Sequence, residues 1–255
     1  MLTDKQFRDD DKRKTTPRRR GFACKQFFVA HDRCAMKVGT DGVLLGGWAP
    51  CENARRILDI GTGSGLVALM LAQRSLPDTQ IDAVDIDADA AAQAAENFLA
   101  SPWGGRMKVF HQDIGEFTAA CPESRYELIV SNPPYFAPAV ACRDSAWETA
   151  RYTTSLEHPQ LMRHAAQLIT PDGLLCVVLP YTTGQDFIAA AGEQNWFLHT
   201  QIAVSDKPDT PFHRTLIALS RRPVSALHKT MSIKTEEGRY SADFKSFITG
   251  FYLKY

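Results

Sequence analysis

From Arg56 onward, short β-rich runs alternate with helical runs, and this alternation restricts the fold of the 255-residue chain more than any other feature. Arg56–Ile60 (RILDI), Gln80–Ile86 (QIDAVDI), Met107–His111 and Tyr126–Ser131 (YELIVS) read as strands. So do GLLCVVLP from Gly173, Trp196–Val204 and Phe212–Ser220. Helical patterns fill the gaps at Gly65–Gln73, Ala88–Ala100, Ile114–Ala120, Glu157–Ile169 and Gln185–Gln194. Strands interleaved with helices predict βαβ units, hence an α/β fold whose mostly parallel sheet carries helices on both faces. The last two strands break the pattern. SDKPDTP between them is turn material, too short for the crossover that parallel neighbours need, so one strand is expected to run antiparallel.

Four segments follow from this reading. Residues 1–20 are a polar, charged head expected to be disordered, and 21–55 form an aromatic- and glycine-rich flap over the site that follows. Residues 56–220 are the α/β domain. Residues 221–255 are an extension in which Phe244, Phe247, Ile248 and Phe251 recur at the spacing of an amphipathic helix.

Composition narrows the class. Hydrophobic residues at 44% and charged residues at 23% suit a globular chain rather than a disordered one. The cysteines at 24, 34, 51, 121, 142 and 176 form no C-x-x-C pair, so neither a disulfide scaffold nor a metal site is expected. No leader-like apolar stretch and no membrane-length apolar window occur, which predicts a soluble, reduced, cytoplasmic protein. Lys+Arg and Asp+Glu both total 29, yet residues 1–20 hold eight basic against four acidic residues. The head is therefore +4 and the remainder −4.

Asp59-Ile60-Gly61-Thr62-Gly63-Ser64-Gly65 lies between the first strand and the first helix. Glycines there permit positive φ and close approach of a ligand to the backbone, at the sheet edge where open α/β folds bind ligands. Asp85 ends the second strand, 24 residues after Gly61, where a carboxylate can accept both hydroxyls of a ribose; Ile86 follows it. Nicotinamide and S-adenosylmethionine (SAM) enzymes share this layout. The dinucleotide fingerprint requires glycine at position 66, where Leu66 stands, and this favours SAM. Asp113, after the third strand, fits two readings: contact with an adenine amino group, or a helix N-cap.

Asn132-Pro133-Pro134-Tyr135, directly after the fourth strand, is the most specific signal. Two prolines hold the chain rigidly at the strand's carboxyl end while leaving their carbonyls free to accept. The Asn132 side-chain oxygen and the Pro133 carbonyl can each accept one hydrogen of an –NH₂ group, and Tyr135 offers a face for a planar ring. An exocyclic amine on an aromatic ring is a poor nucleophile because its lone pair is delocalised. Two acceptors out of the ring plane localise that pair as the nitrogen attacks a methyl group.

With both motifs in view, the chain resembles the class I SAM-dependent methyltransferases that act on amino groups, over roughly residues 21–220. The resemblance implies a Rossmann-like, seven-stranded sheet of order 3-2-1-4-5-7-6 with an antiparallel last strand. KQFFVAHDRCAMKVGTDGVLLGGWAP and ARYTTSLEHPQL are similar to one bacterial family within that group, whose members methylate N6 of adenosine 37 in tRNA1(Val). By resemblance, Lys37, Thr40 and Asp41 close over the methionine end of SAM. Asp59, Gly61, Gly63, Gly65, Asp85, Ile86, Asp113 and Asn132 contact the cofactor, and Asn132, Pro133, Pro134 and Tyr135 form the catalytic set. Within the charged head, residues 1–17 depart from the family pattern.

Other amines remain as alternatives on the motif alone: ribosomal guanine N2, DNA adenine or protein glutamine. A non-catalytic RNA-binding relic is a different class, disfavoured because both motifs are intact. For RNA contact, Arg18, Arg19 and Arg20 beside Phe22 and Phe27 fit either phosphate binding or a solvated tail. Arg143 and Arg151, after the catalytic motif, are further expected phosphate contacts.

Overall fold

The computed structural model describes residues 20–34, 37–120, 125–134 and 157–254. Its central sheet is built from residues that alternate between two apolar clusters. Ile57, Ala83, Val130, Cys176 and Ala218 face one side, with the helices α1 (Thr40–Trp48), α2 (Leu66–Arg74), α3 (Ala88–Leu99) and α7 (Ala242–Ile248). Leu58, Val84, Ile129, Val177 and Ile217 face the other, with α4 (Ile114–Ala120), α5 (His158–Leu168) and α6 (Tyr181–Glu193). A strand buried on both faces has no polar side to show water, which is why these runs read as continuously apolar.

The strands are β3 (Arg56–Ile60), β4 (Gln80–Asp85), β5 (Met107–His111), β6 (Tyr126–Ser131), β7 (Ile169–Pro180), β8 (Phe197–Ser205), β9 (Phe212–Ser220) and β10 (Leu227–Ser232). Their order is β10-β8-β9-β7-β6-β3-β4-β5, with β9 antiparallel to both its neighbours. Seven of them reproduce the expected order 3-2-1-4-5-7-6. The expectation of seven strands is corrected to eight. After β9 the chain hops over β8, and β10 pairs parallel to β8 from Leu227 against Thr200 to Ser232 against Ser205. LHKTMS carries no apolar run because β10 is an edge strand: Leu227 through Thr230 are exposed and only Met231 reaches the core.

Before the sheet, β1 (Gly21–Ala23) and β2 (Phe28–Ala30) form an antiparallel ribbon. The ribbon is joined to the chain's far end. Cys24 bridges Tyr252, the Lys25 amide donates to the Phe251 carbonyl at 2.8 Å, and the Phe22 and Tyr252 rings meet edge-on at 5.4 Å. Helix α1, in the stretch read as a flap, has Val43, Leu44 and Leu45 buried and packs against α2, β7 and α7. Cys24, Cys51 and Cys176 are buried, and burial pushes their thiols up, Cys24 to about 12 and Cys51 to about 11. No helix among the described residues is long and apolar enough to cross a membrane.

Candidate active site

The order in which strands are added reverses at β3: β4 and β5 lie to one side, β6 and β7 to the other, all parallel to it. Ligands of open α/β sheets sit at such a switch point, beyond the carboxyl ends of the strands. The glycine loop leaves β3 and Asn132-Pro133-Pro134 leaves β6, so the two sequence motifs emerge from adjacent strands. The Ser131 hydroxyl, buried, donates to the Ile60 carbonyl at 2.8 Å and ties the two strand ends together.

The loop folds over the end of β4. The amides of Gly61 and Thr62 donate to the Val84 carbonyl at 2.9 and 3.2 Å, and the Gly63 amide donates to Asp85 Oδ2 at 2.7 Å. Gly61, Gly63 and Gly65 have φ of 72°, 56° and 81°, the left-handed region that favours glycine. A Cβ at Gly61 or Gly63 would meet nothing within 4 Å, so the loop's outer side faces open space. At Gly65 a Cβ would stand 2.5 Å from the Phe98 ring, and there glycine lets the loop seat against α3.

Beneath the loop, Asp59 is 1% exposed and accepts the Thr62 hydroxyl at 2.7 Å. Burial pushes its carboxyl up to about 7, against the pull of the hydrogen bonds from Thr62 and Ala68. Asp85 is also raised by burial, opposed by the amides of Asp87 and Gly63. Asp85 Oδ1 accepts the Asp87 amide at 2.9 Å, so both oxygens are oriented by backbone donors. Ile86, next to it, is 48% exposed, an apolar side chain in the open at a polar edge. Asp113 Oδ1 accepts the Gly115 amide at 2.7 Å, the geometry of a helix start. The His164 ring lies against Gly115 and is lowered by burial, with Asp113 opposing.

On the other flank, Lys37 and Thr40 are exposed, and Asp41 in the first turn of α1 pairs with Arg214 of β9 at 2.9 Å. Asn132 and Pro134 are half-buried and Pro133 is buried. Arg20 is exposed at the head of β1. Tyr135, Arg18, Arg19, Arg143 and Arg151 lie outside the described residues, as does the rest of the head. His158 and His164 share α5 but separate, His158 standing edge-on to Phe187 at 5.4 Å. Among the described residues no group of three or more His, Cys, Asp or Glu could hold a metal ion. An open depression of about 490 Å³ lined by Gln73, Pro77, Trp103 and Arg106 lies at the strands' amino edge, away from both motifs.

The model of the methyltransferase small domain family matches residues 43–191. A tRNA1(Val) (adenine(37)-N6)-methyltransferase of Yersinia pestis (strain Pestoides F) is 54% identical over 235 residues, 92% of this chain and 94% of the relative. The chain belongs to this methyltransferase family. A Yersinia pseudotuberculosis (strain YPIII) relative of the same description is 54% identical, across 92% of this chain and 93% of its own. Among solved structures, a predicted O-methyltransferase from Agrobacterium tumefaciens aligns with a TM-score of 0.66 at 16% identity, covering 83% of this chain and 96% of that one. A T. thermophilus 16S rRNA N2 G1207 methyltransferase in complex with AdoMet and guanosine aligns at 0.53 and 17% identity, over 80% of this chain and 50% of that one. Both likenesses are of fold.

For a SAM-dependent methyltransferase, the open outer side of the glycine loop and the oriented Asp85 carboxylate fit the cofactor. Three residues of this site escaped motif reading. Buried Asn97 of α3 accepts the Ala30 amide at 3.0 Å and donates to the carbonyls of Ala30 and Ser64, both at 2.8 Å, clamping β2 to the glycine loop. Arg214 fixes the start of α1, and Ser131 locks the two motifs. Their partners are 33 to 173 positions away, so no local pattern marks them.

Proposed function

We propose that this chain transfers the methyl group of SAM to the exocyclic N6 of adenosine 37 in tRNA1(Val), in the cytoplasm. The observation that carries the reading is the emergence of the cofactor loop and Asn132-Pro133-Pro134 from adjacent strands, tied by Ser131 and Ile60. The substrate is taken from the relatives, which are tRNA1(Val) (adenine(37)-N6)-methyltransferases.

SAM held in the cradle supplies a methyl group activated on a sulfonium. Asp85 accepts the ribose hydroxyls, Ile86 lies along the adenine, and Asp113 takes its amino group through the carboxylate edge that the Gly115 amide leaves open. Lys37, Thr40 and Asp41 hold the methionine end, with Arg214 keeping Asp41 in place. Asp59 acts from below, through Thr62, on the shape of the loop formed by Gly61, Gly63 and Gly65.

The Asn132 side-chain oxygen and the Pro133 carbonyl accept the two amine hydrogens of the target, and Pro134 keeps the corner stiff. Preorganised acceptors of this kind are most effective where positive charge develops on the attacking nitrogen. The target base must leave its stack, at a cost of a few kcal/mol, and stacking on Tyr135 offsets ~1–3 kcal/mol of that.

The test is transfer of labelled methyl from SAM to tRNA from a strain lacking this modification, followed by nucleoside and position analysis. N6-methyladenosine at position 37 is the expected product. Label on guanine N2, on DNA or on protein glutamine instead would sink the reading.

A further inference from the structure

We infer that the seam between the β1–β2 ribbon and the carboxyl-terminal segment is a docking face for the phosphate backbone of tRNA, an inference that rests on the tRNA substrate proposed above. Charge distribution gives the first reason. Residues 56–196, which hold both motifs, carry eight Lys/Arg against seventeen Asp/Glu, a net of −9. Residues 1–55 are +5 and residues 197–255 are +4. A polyanion is repelled by the catalytic domain as a whole and must be held by the flanking segments. Exposed charges are screened within about 8 Å at physiological salt, so the holding charges must lie together in space.

The fold gathers four of them, Lys25, Arg239, Lys245 and Lys254, along the seam. The Lys25 ammonium donates to the Thr249 carbonyl at 2.8 Å, and Thr249 is one helical turn beyond Lys245. Lys254 follows Tyr252, which bridges Cys24 beside Lys25. Arg239 is exposed on the hairpin closed by the Lys234–Tyr240 bridge, next to the same ring cluster. Three rings of the cluster, Phe22, Tyr240 and Tyr252, are half-buried over the fully buried Phe244: Tyr240 meets Tyr252 at 6.4 Å and Phe244 at 5.1 Å, and Tyr252 meets Phe22. Cations interleaved with half-exposed aromatic rings suit a nucleic-acid strand, which offers phosphates and π-faces together.

Acidic residues on these elements are Asp243, Glu236 and Glu237, of which Glu237 pairs with Arg239 across 3.7 Å in the open. Lys245 and Lys254 form no ion pair among the described residues. The face also leads to the site. The Arg20 carbonyl accepts the His31 amide at the end of the ribbon, adjacent to Ala30, which Asn97 clamps to the glycine loop.

The experiment is tRNA binding by the full chain across a salt series, comparing wild type with the triple variant Arg239→Gln, Lys245→Gln, Lys254→Gln. Each lost phosphate contact flattens the log–log salt slope by roughly 0.7–0.9. The triple variant should flatten it by about two units and weaken binding at least tenfold at physiological salt, with melting temperature and SAM affinity retained. A matched pair on the other edge and face, Lys108→Gln with Arg163→Gln, should leave the slope in place. An unchanged slope in the triple variant, or equal flattening per charge in the control pair, would overturn the inference. If the wild-type chain methylates no tRNA adenosine, the reading beneath it fails, an outcome separate from an unchanged slope in an active enzyme.

Discussion

Asp59 and Asp85 stand within one loop of each other and do opposite things. Asp85 is half-buried at the end of β4 with both oxygens aligned by amides, whereas Asp59 is sealed under the loop with Thr62 as its partner. Asp85→Ala should weaken SAM binding by one to two orders of magnitude in calorimetry while leaving the melting temperature near wild type. Asn132→Ala should do the reverse of a binding defect: SAM affinity changes little, and single-turnover methyl transfer falls at least a hundredfold, as removal of a preorganised dipole does elsewhere.

Asp59 gives a pH dependence whose sign is fixed. Its folded-state pKa is about 7, raised by burial above the ordinary carboxylate value. The folded chain therefore holds a proton that the unfolded chain has released, and stability falls as pH rises through 7. Denaturant midpoints from pH 5 to 8 should show wild type losing on the order of 2–3 kcal/mol relative to Asp59→Asn, at about 1.4 kcal/mol per pH unit below the folded pKa. Parallel stability curves for the two proteins would refute it.

At the scale of elements, what was legible in the chain follows burial. β3, β4 and β6 sit between two helical layers and are largely buried, whereas β5 is a partly exposed edge strand; the expected bounds of all four agree with the observed ones within a residue. β10 was hidden because three of its four first side chains are polar and all four are exposed; its pairing is set by the backbone of β8. α1 was hidden for the opposite reason. TDGVLLGGW is apolar almost all round, packs against several elements, and shows no helical stripe. β7 begins at Ile169, earlier than expected, with a register shift against β6 between Tyr126 and Leu128. In the site, the motif residues were legible because glycine and proline act locally, while Asn97 and Arg214 act across the fold. Asn97→Ala tests that difference. It removes three hydrogen bonds from buried backbone groups, each orphan costing ~1–3 kcal/mol, so destabilisation of at least 2 kcal/mol is expected, with SAM affinity reduced as the loop loses Ser64's tether. A variant as stable as wild type would show that the clamp is idle.

Across the whole molecule, the first and last described segments close on each other, while the candidate site is built from the strands between them. Proteins open in cooperative units whose free energies range from near zero up to that of global unfolding. The buried thiols are placed to report two such units. Cys24 lies on the seam itself and Cys176 at the centre of β7, and burial keeps both protonated and slow toward alkylating reagents. In a chain with Cys34, Cys51, Cys121 and Cys142 changed to Ser, Cys24 should be labelled at a lower opening free energy than Cys176. Tyr252→Ala should speed labelling of Cys24 selectively; equal acceleration at both sites would mean the seam opens only when everything does. A thiol reagent thereby becomes a clock for the terminal closure, and adding tRNA should slow that clock at Cys24 if the seam is where the nucleic acid rests.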